Sequence, residues 1–468
     1  MKTPDSFVNL TFLSLDMTLI VCSNLLAAGI FIYLIMLADG IQRGEIMERG
    51  VSVNLGNFLL SLSDAMDLAS PEMAQHQQRT AFIAWEISKA AGLSEKMTED
   101  IFVAALLHDI GFFRVEEKLA FIRFERDDTS PHCIRGAFLL NQIPFLSDKS
   151  DLIRFHHRKW SRWHEPIDTP YVLGSQIVSL ADYVERLVNR DHYILHQHDQ
   201  VIAEIISLSG ETFHPDIVDI FVRTARREEL WLDLASPRLY SILLHTGPYK
   251  SKEIDILGIS PIAKTFKSII DFKSKFTSTH STGVSACATK MSGIFGLTDT
   301  EIQLMGVAGD LHDLGKLAIP EKILEKEGKL TREEFAVIKS HTYFTYSLIN
   351  TIAGLKQIAE WAAYHHEKLD GSGYPFRCVA AELDTKARIM AVADIFTALA
   401  EDRPYRPGMS KKEIIRILKQ QAEKGFLDFR IVNLLLDNYH DISIYVAGEQ
   451  AKATELYEEQ IEPPVNET

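Results

Sequence analysis

The chain has 468 residues, with 49 Lys or Arg against 64 Asp or Glu and a formal net charge of -15. That balance excludes a protein that coats nucleic acid, which needs a basic field, but it leaves small phosphate ligands open if a few local cations meet them. With 46% hydrophobic and 24% charged residues the chain is a folded one, and its length exceeds an ordinary single core, so two or three domains are expected.

Residues 18–37 read TLIVCSNLLAAGIFIYLIML, an uncharged run long enough to span a bilayer. Asp5 and Asp16 accompany Lys2, so a cleaved signal peptide with a basic n-region fits poorly and a retained N-terminal hydrophobic helix is expected within residues 1–50. Arg43 and Arg49 follow it, which places the rest of the chain on the cytoplasmic side. The four cysteines, Cys22, Cys133, Cys287 and Cys378, form no CxxC pair, in keeping with a reducing compartment. The alternative reading of 18–37 is a packing or dimer-forming helix in a soluble cytoplasmic protein.

From residue 51 the pattern changes to amphipathic helices, LGNFLLSLSDAMDL, QQRTAFIAWEISKAAGL and TEDIFVAALLHDIGFF, with apolar residues at i, i+3, i+4 and i+7. The same texture returns after the Gly- and Pro-punctuated stretch 241–260, which reads as a linker. The predicted organisation is all-α: a helical domain over 51–240, a second over 261–445, and an acidic tail over 446–468.

The two helical regions superimpose by their histidines. His76 precedes the adjacent pair His108 and Asp109 by 32 residues, and His280 precedes His312 and Asp313 by the same 32. His132 and His341 come next, and each is followed 24 residues later by a double histidine, His156 with His157 and His365 with His366. An Asp inside an apolar helix closes each series, Asp182 and Asp394. The offset between copies drifts from 204 to 209 to 212, so length changes fall between ligand positions, where loops tolerate them. Seven metal-type ligands recurring in order mark a duplicated domain. Five His and two Asp exceed what one tetrahedral zinc needs; the mixed nitrogen and oxygen set suits two six-coordinate ions, and a carboxylate can bridge them. Such a pair, about 3.5–4 Å apart, suits hydrolysis of a phosphodiester.

The second copy also carries THSTGVS, GDLHDLGKLAIPEKIL, HHEKLDGSGYP, ARIMAVADIFTAL and EDRPYR, and over about residues 269–438 it closely resembles the HD-GYP domain of bacterial signalling proteins. The resemblance implies a metal-dependent phosphodiesterase that hydrolyses cyclic di-GMP to linear pGpG or GMP. Alternatives are a hydrolase of cyclic GMP-AMP or another nucleotide, and a non-catalytic effector that binds a cyclic dinucleotide. By position, His280, His312, Asp313 and Asp394 would hold one divalent transition metal, Fe or Mn, while Asp313, His341, His365 and His366 would hold the other. Asp313 and Lys316 would be catalytic, and Lys316, Arg403, Arg406, Gly373 and Tyr374 would meet the substrate. The hydrophobic run with the arginines after it places the chain on the cytoplasmic face of an inner membrane as a single-pass protein, while diguanylate cyclase (GGDEF) domains are expected as partners through the GYP loop, along with a homodimer; no DNA or RNA polymer is expected.

Departures from the family pattern bear on substrate and rate. Phe276 stands where some members carry a Glu for a third metal, so a dinuclear site is expected; Thr397 stands where Asp is frequent. The first copy resembles the general HD superfamily and keeps His76, His108, Asp109, His132, His156, His157 and Asp182, a second candidate metal site. Phe112 replaces the lysine there, RKWSRWHEPI replaces the GYP loop, and NRDHYI takes the place of RPYR. Three readings stay open for it: a regulatory metal-binding domain, a phosphohydrolase for another nucleotide, or a helical scaffold.

Overall fold

The computed structural model describes residues 51–68, 73–112, 118, 130–273, 279–401 and 407–461. The candidate span 18–37 lies outside the described residues, as do Phe276, Arg403 and Arg406. Among the described residues no helix is long and apolar enough to cross a membrane.

Each copy opens on a three-residue strand and continues through matching helices. The first has β1 (Ser52–Asn54), α1 (Leu55–Asp67), α2 (His76–Ala90), α3 (Glu95–Leu107), α4 (Ser130–Asn141), a short helix Ser150–Arg154, and α5 (Pro170–Leu187). The second has β2 (Glu253–Asp255), α6 (Ile256–Phe272), α7 (His280–Phe295), α8 (Asp299–Leu311), α9 (Arg332–Asn350), α10 (Lys356–Ala363) and α11 (Thr385–Ala400), and it ends on α12 (Tyr439–Ile461). The caps repeat as well. Asn54 accepts from the N–H of Asn57 to start α1, and Asp255 accepts from Leu257 and Gly258 to start α6. Ser94 caps α3, and Thr298 caps α8 in a reciprocal capping box with Glu301. Each such cap is worth about 1 kcal/mol and fixes where its helix begins.

The strands pair with each other antiparallel, Ser52 opposite Asp255 and Asn54 opposite Glu253, which joins the two copies at their starts. The hydrophobic pattern predicts an amphipathic α1, but the structure buries it on nearly every side, from Leu55 through Ala65. The reason is position. One flank packs on α2 and α3 of its own copy, the other on α9 and the turn at 314–318 of the second copy. Two of its polar residues make that second contact: Ser61 Oγ donates to the Leu348 carbonyl at 2.5 Å and Asn57 Nδ2 to the Thr351 carbonyl at 3.2 Å. The stretch 241–260, expected as a linker, holds most of a helix (Leu239–Thr246), β2 and the first turn of α6; beside it, the Tyr240 hydroxyl donates to Asn57 Oδ1 at 2.8 Å. At the other end, α12 extends through the expected acidic tail to Ile461, with Val446 buried and Gln450 Nε2 donating to the Thr279 carbonyl.

Candidate metal centre

In the second copy the seven candidate ligands come from five places in the fold. His280 is the first residue of α7, and the Ser281 N–H beside it is held by the buried Asp271 carboxylate at 3.1 Å. His312 ends α8 and Asp313 opens a tight turn over Leu314–Ala318. That turn lies directly against the backbone of His341 in α9, and Gly315 is what allows it, because a Cβ there would run into the His341 carbonyl. His365 and His366 sit on the turn that ends α10, and Asp394 faces them from the middle of α11. Lys316 therefore sits on the tight turn rather than on a continuation of α8.

These side chains converge. His280 Nε2 is 3.2 Å from Asp394 Oδ1, His312 Nε2 is 3.1 Å from Asp313 Oδ2, and His341 Nε2 is 3.3 Å from both Asp313 Oδ1 and His365 Nε2. His366 Nδ1 stands 3.6 Å from Asp394 Oδ2. Nδ1 of His312, His341 and His365 donates to the carbonyl of Gly309, Ile338 and Ala362 respectively. A carbonyl only accepts, so in each neutral ring Nε2 carries the lone pair and faces the cluster. Burial pushes His341 down to about 3 and His365 well below its ordinary value. Burial would lift Asp313 and Asp394, but the surrounding imidazoles, with the Lys316 ammonium for Asp313, outweigh it and hold both carboxyls low. Neutral imidazoles and ionised carboxylates are the metal-binding forms of these groups. The donors also fit an ion by proximity: His280, His312 and Asp394 form one close group, His312, Asp313 and His365 a second, and His341, His365 and His366 a third. The His312 Nε2 atom is buried and, apart from its approach to Asp313, has no hydrogen-bond partner among the described residues.

Lys316 Nζ lies 2.5 Å from Asp313 Oδ2 at the rim of the cluster. The Gly373 and Tyr374 loop folds back over the double histidine: the Tyr374 N–H donates to the His366 carbonyl, and the two rings lie 4.9 Å apart. Two residues that the sequence pattern does not single out support this arrangement. Glu367 accepts from the N–H groups of Phe376, Arg377 and Cys378 and pins the loop to the histidine turn. Glu401 Oε1 stands 3.1 Å from His280 Nδ1.

The first copy brings its seven residues together in the same way, from the start of α2 (His76), the end of α3 (His108, Asp109), α4 (His132), the turn after Ser150–Arg154 (His156, His157) and α5 (Asp182). His76 Nε2 is 3.3 Å from Asp109 Oδ2, and His108 Nε2 is 3.5 Å from Asp182 Oδ1. Glu185 does for His76 what Glu401 does for His280, with Oε2 2.5 Å from Nδ1. Arg190, in the segment that replaces RPYR, donates to Glu185 at 2.7 Å. Phe112, in the lysine position, stacks on the His132 ring at 4.0 Å. An ammonium nevertheless reaches Asp109: Lys118, six positions further on, places Nζ 3.1 Å from Asp109 Oδ2 and 3.4 Å from Asp67 Oδ1. Its spacing differs from that of Lys316, so motif alignment passes over it.

Two helical units that each gather five His and two Asp around an adjacent His-Asp pair define a tandem HD-domain protein. Family models described as HD domain match residues 73–187 and 264–431. The 3'3'-cGAMP-specific phosphodiesterase 1 of Vibrio cholerae is 31% identical over 411 residues, covering 84% of this chain and 94% of that protein. The 3'3'-cGAMP-specific phosphodiesterase 3 of the same organism is 24% identical over 82% of this chain and 96% of its own length. The cyclic di-GMP phosphodiesterase response regulator RpfG of Xanthomonas campestris is 38% identical over 163 residues, 33% of this chain and 43% of that one. The crystal structure of the V. cholerae cyclic GMP-AMP phosphodiesterase V-cGAP3 shares the fold, with a TM-score of 0.60 at 22% identity over 83% of this chain and 98% of that one. The chain belongs to the family of HD-domain phosphodiesterases, and it is a metal-dependent phosphohydrolase.

Proposed function

We propose that the second copy hydrolyses a phosphodiester bond of a cyclic dinucleotide and opens the ring to a linear product. The observation that carries this is the convergence of His280, His312, Asp313, His341, His365, His366 and Asp394 with the Lys316 ammonium at their rim. His280, His312, Asp313 and Asp394 would hold one divalent ion, and Asp313, His341, His365 and His366 a second. Bound there, such ions supply Lewis-acid stabilisation of the phosphoryl oxygens and an activated water at neutral pH. Lys316 shifts from Asp313 toward a substrate phosphate oxygen and offsets charge that builds up in the transition state. Tyr374 and Gly373 close the loop over His366 and limit water at the substrate mouth.

The tandem arrangement favours 3'3'-cGAMP as substrate, since the relatives aligned over most of the chain carry that specificity in their names. Cyclic di-GMP is the second reading, supported by relatives named for that substrate that match about a third of the chain. Full-length protein loaded with manganese or iron should cleave one of the two, and a rate comparison on both decides between them. His312→Ala and Asp313→Ala should abolish turnover; full activity in both variants would sink the proposal. Binding without turnover in the loaded protein would instead favour a non-catalytic effector. The first copy is read as regulatory, because Phe112 covers His132 and Arg190 is engaged with Glu185.

A further inference from the structure

The two clusters share seven candidate ligand positions but differ in what surrounds them. In the first copy Cys133 is buried beside His132, with Sγ 3.6 Å from His132 Nε2 and 3.7 Å from His156 Nδ1. His132, Cys133, His156 and His157 each offer a ligand atom, and all four atoms lie within 4.8 Å of one another. Zinc bonds nitrogen at about 2.0–2.1 Å and sulfur at about 2.3 Å, so tetrahedral ligands of the two kinds stand about 3.5 Å apart. The Cys133 to His132 separation is already of that size. His156 Nδ1 donates to the Ile153 carbonyl, and its Nε2 is buried with no hydrogen-bond partner among the described residues. In the second copy the residue after His341 is Thr342, whose hydroxyl donates back to the Lys339 carbonyl of its own helix. The thiol therefore belongs to the first cluster alone.

The carboxylates of the first cluster already have cations of the chain's own. Lys118, 5% exposed, pairs with Asp109, and Arg186, one turn after Asp182 on α5, pairs with it at 3.0 Å. In the second copy the residue one turn after Asp394 is Ala398, and the Lys316 side chain is 20% exposed and so can move away from Asp313. A dication entering the Asp109 and Asp182 half would have to settle beside a buried ammonium and a guanidinium, and like charges at that range repel strongly at low dielectric.

We propose that the first domain binds a single zinc-class ion through His132, Cys133, His156 and His157, and that Lys118 and Arg186 close the carboxylate half of the same cluster to a second ion. A donor set of three imidazoles and one thiolate selects zinc or cobalt(II), whereas the mixed imidazole and carboxylate set of the second domain suits harder ions. Coordination releases the Cys133 thiol proton to solvent. The ion ties α4 to the turn that carries the double histidine, so it organises the first domain and takes no part in hydrolysis at the second.

The test uses full-length protein stripped with chelator and reloaded with cobalt(II), a spectroscopic stand-in for zinc. Wild type should show a thiolate-to-cobalt charge-transfer band. The band should persist in the second-domain variant His341→Ala, disappear in Cys133→Ser, and shift or weaken in His132→Gln, which keeps the thiol if Cys133→Ser folds poorly. No band in wild type, or an unchanged band in Cys133→Ser, overturns the assignment. Lys118→Met should raise the metal bound per chain, measured by elemental analysis; an unchanged ratio overturns the role of the lysine. Cys133→Ser should retain phosphodiesterase activity at the second domain, and its loss would refute the separation of the two sites.

Discussion

Glu401 gives the sharpest prediction about the second cluster. Its carboxylate is 3.1 Å from His280 Nδ1 and 8% exposed, and it makes the opposite ring nitrogen a stronger donor to a metal. Burial would lower His280, but the charges of Glu401 and Asp394 outweigh it and raise the imidazole to about 10. The other imidazoles of the cluster with an Nδ1 donor bond use backbone carbonyls, so His280 is the ligand whose basicity depends on an ionised group. Glu401→Gln keeps the shape and a neutral acceptor. A charge-assisted hydrogen bond contributes about 1.5–3 kcal/mol and a neutral one about 1 kcal/mol, so the net loss is about 0.5–2 kcal/mol, or roughly 2- to 30-fold weaker metal binding. The assay is turnover as a function of manganese concentration, paired with a chelator-competition measurement of affinity. The curve should move to higher metal with its plateau retained. An unmoved curve would refute the orienting role, and a lowered plateau that excess metal cannot restore would place Glu401 on the substrate instead.

Three further outcomes follow from the packing. Gly373→Ala places a Cβ 2.5 Å from Glu367 Cα and Lys368 N, backbone atoms adjoining His366, so kcat/KM should fall at least about 10-fold; a wild-type value would refute the close seating of the loop. Phe58→Ala empties a fully buried site in α1 and should cost about 3–5 kcal/mol in chemical denaturation, with a loss under about 1 kcal/mol counting against the buried-helix description. Burial raises the Asp271 carboxyl to about 6, against the hydrogen bonds from Ser281 that pull it down. The folded state therefore favours the protonated form, and this contribution is complete below the unfolded value near 4 and lost as pH rises through about 6, up to about 3 kcal/mol. Metal-free Asp271→Asn should lose less stability than wild type between about pH 4 and pH 7 in denaturant titrations, and an equal loss in both would refute the assignment.

The ligand order was legible because it is written in short spacings. An adjacent His-Asp pair, a double histidine and a recurring interval of 32 residues survive in any fold that keeps its helices, and helical periodicity is local. The duplication and the all-helical class follow from those spacings without reference to contacts. The supporting residues have no such spacing. Glu185 lies three residues after Asp182, whereas Glu401 lies seven after Asp394, yet both end on the first histidine of their cluster. Lys118 reaches Asp109 from a different interval than Lys316 reaches Asp313, and Cys133 counts as a ligand only because the histidine turn after Arg154 comes to rest beside it.

By itself, then, the sequence determined the repeated helical domain and the seven candidate ligand positions in each copy, since local periodicity and neighbouring residues encode both. Only the tertiary structure decided that α1 is buried between the two copies, that β1 pairs with β2 across the 198 positions between them, and that one cluster is lined by a thiol and internal cations while the other leaves its lysine at the rim. Those features depend on side chains that meet from distant parts of the chain, and the energies that select them, burial of apolar surface and pairing of buried charge, exist only once the helices have packed.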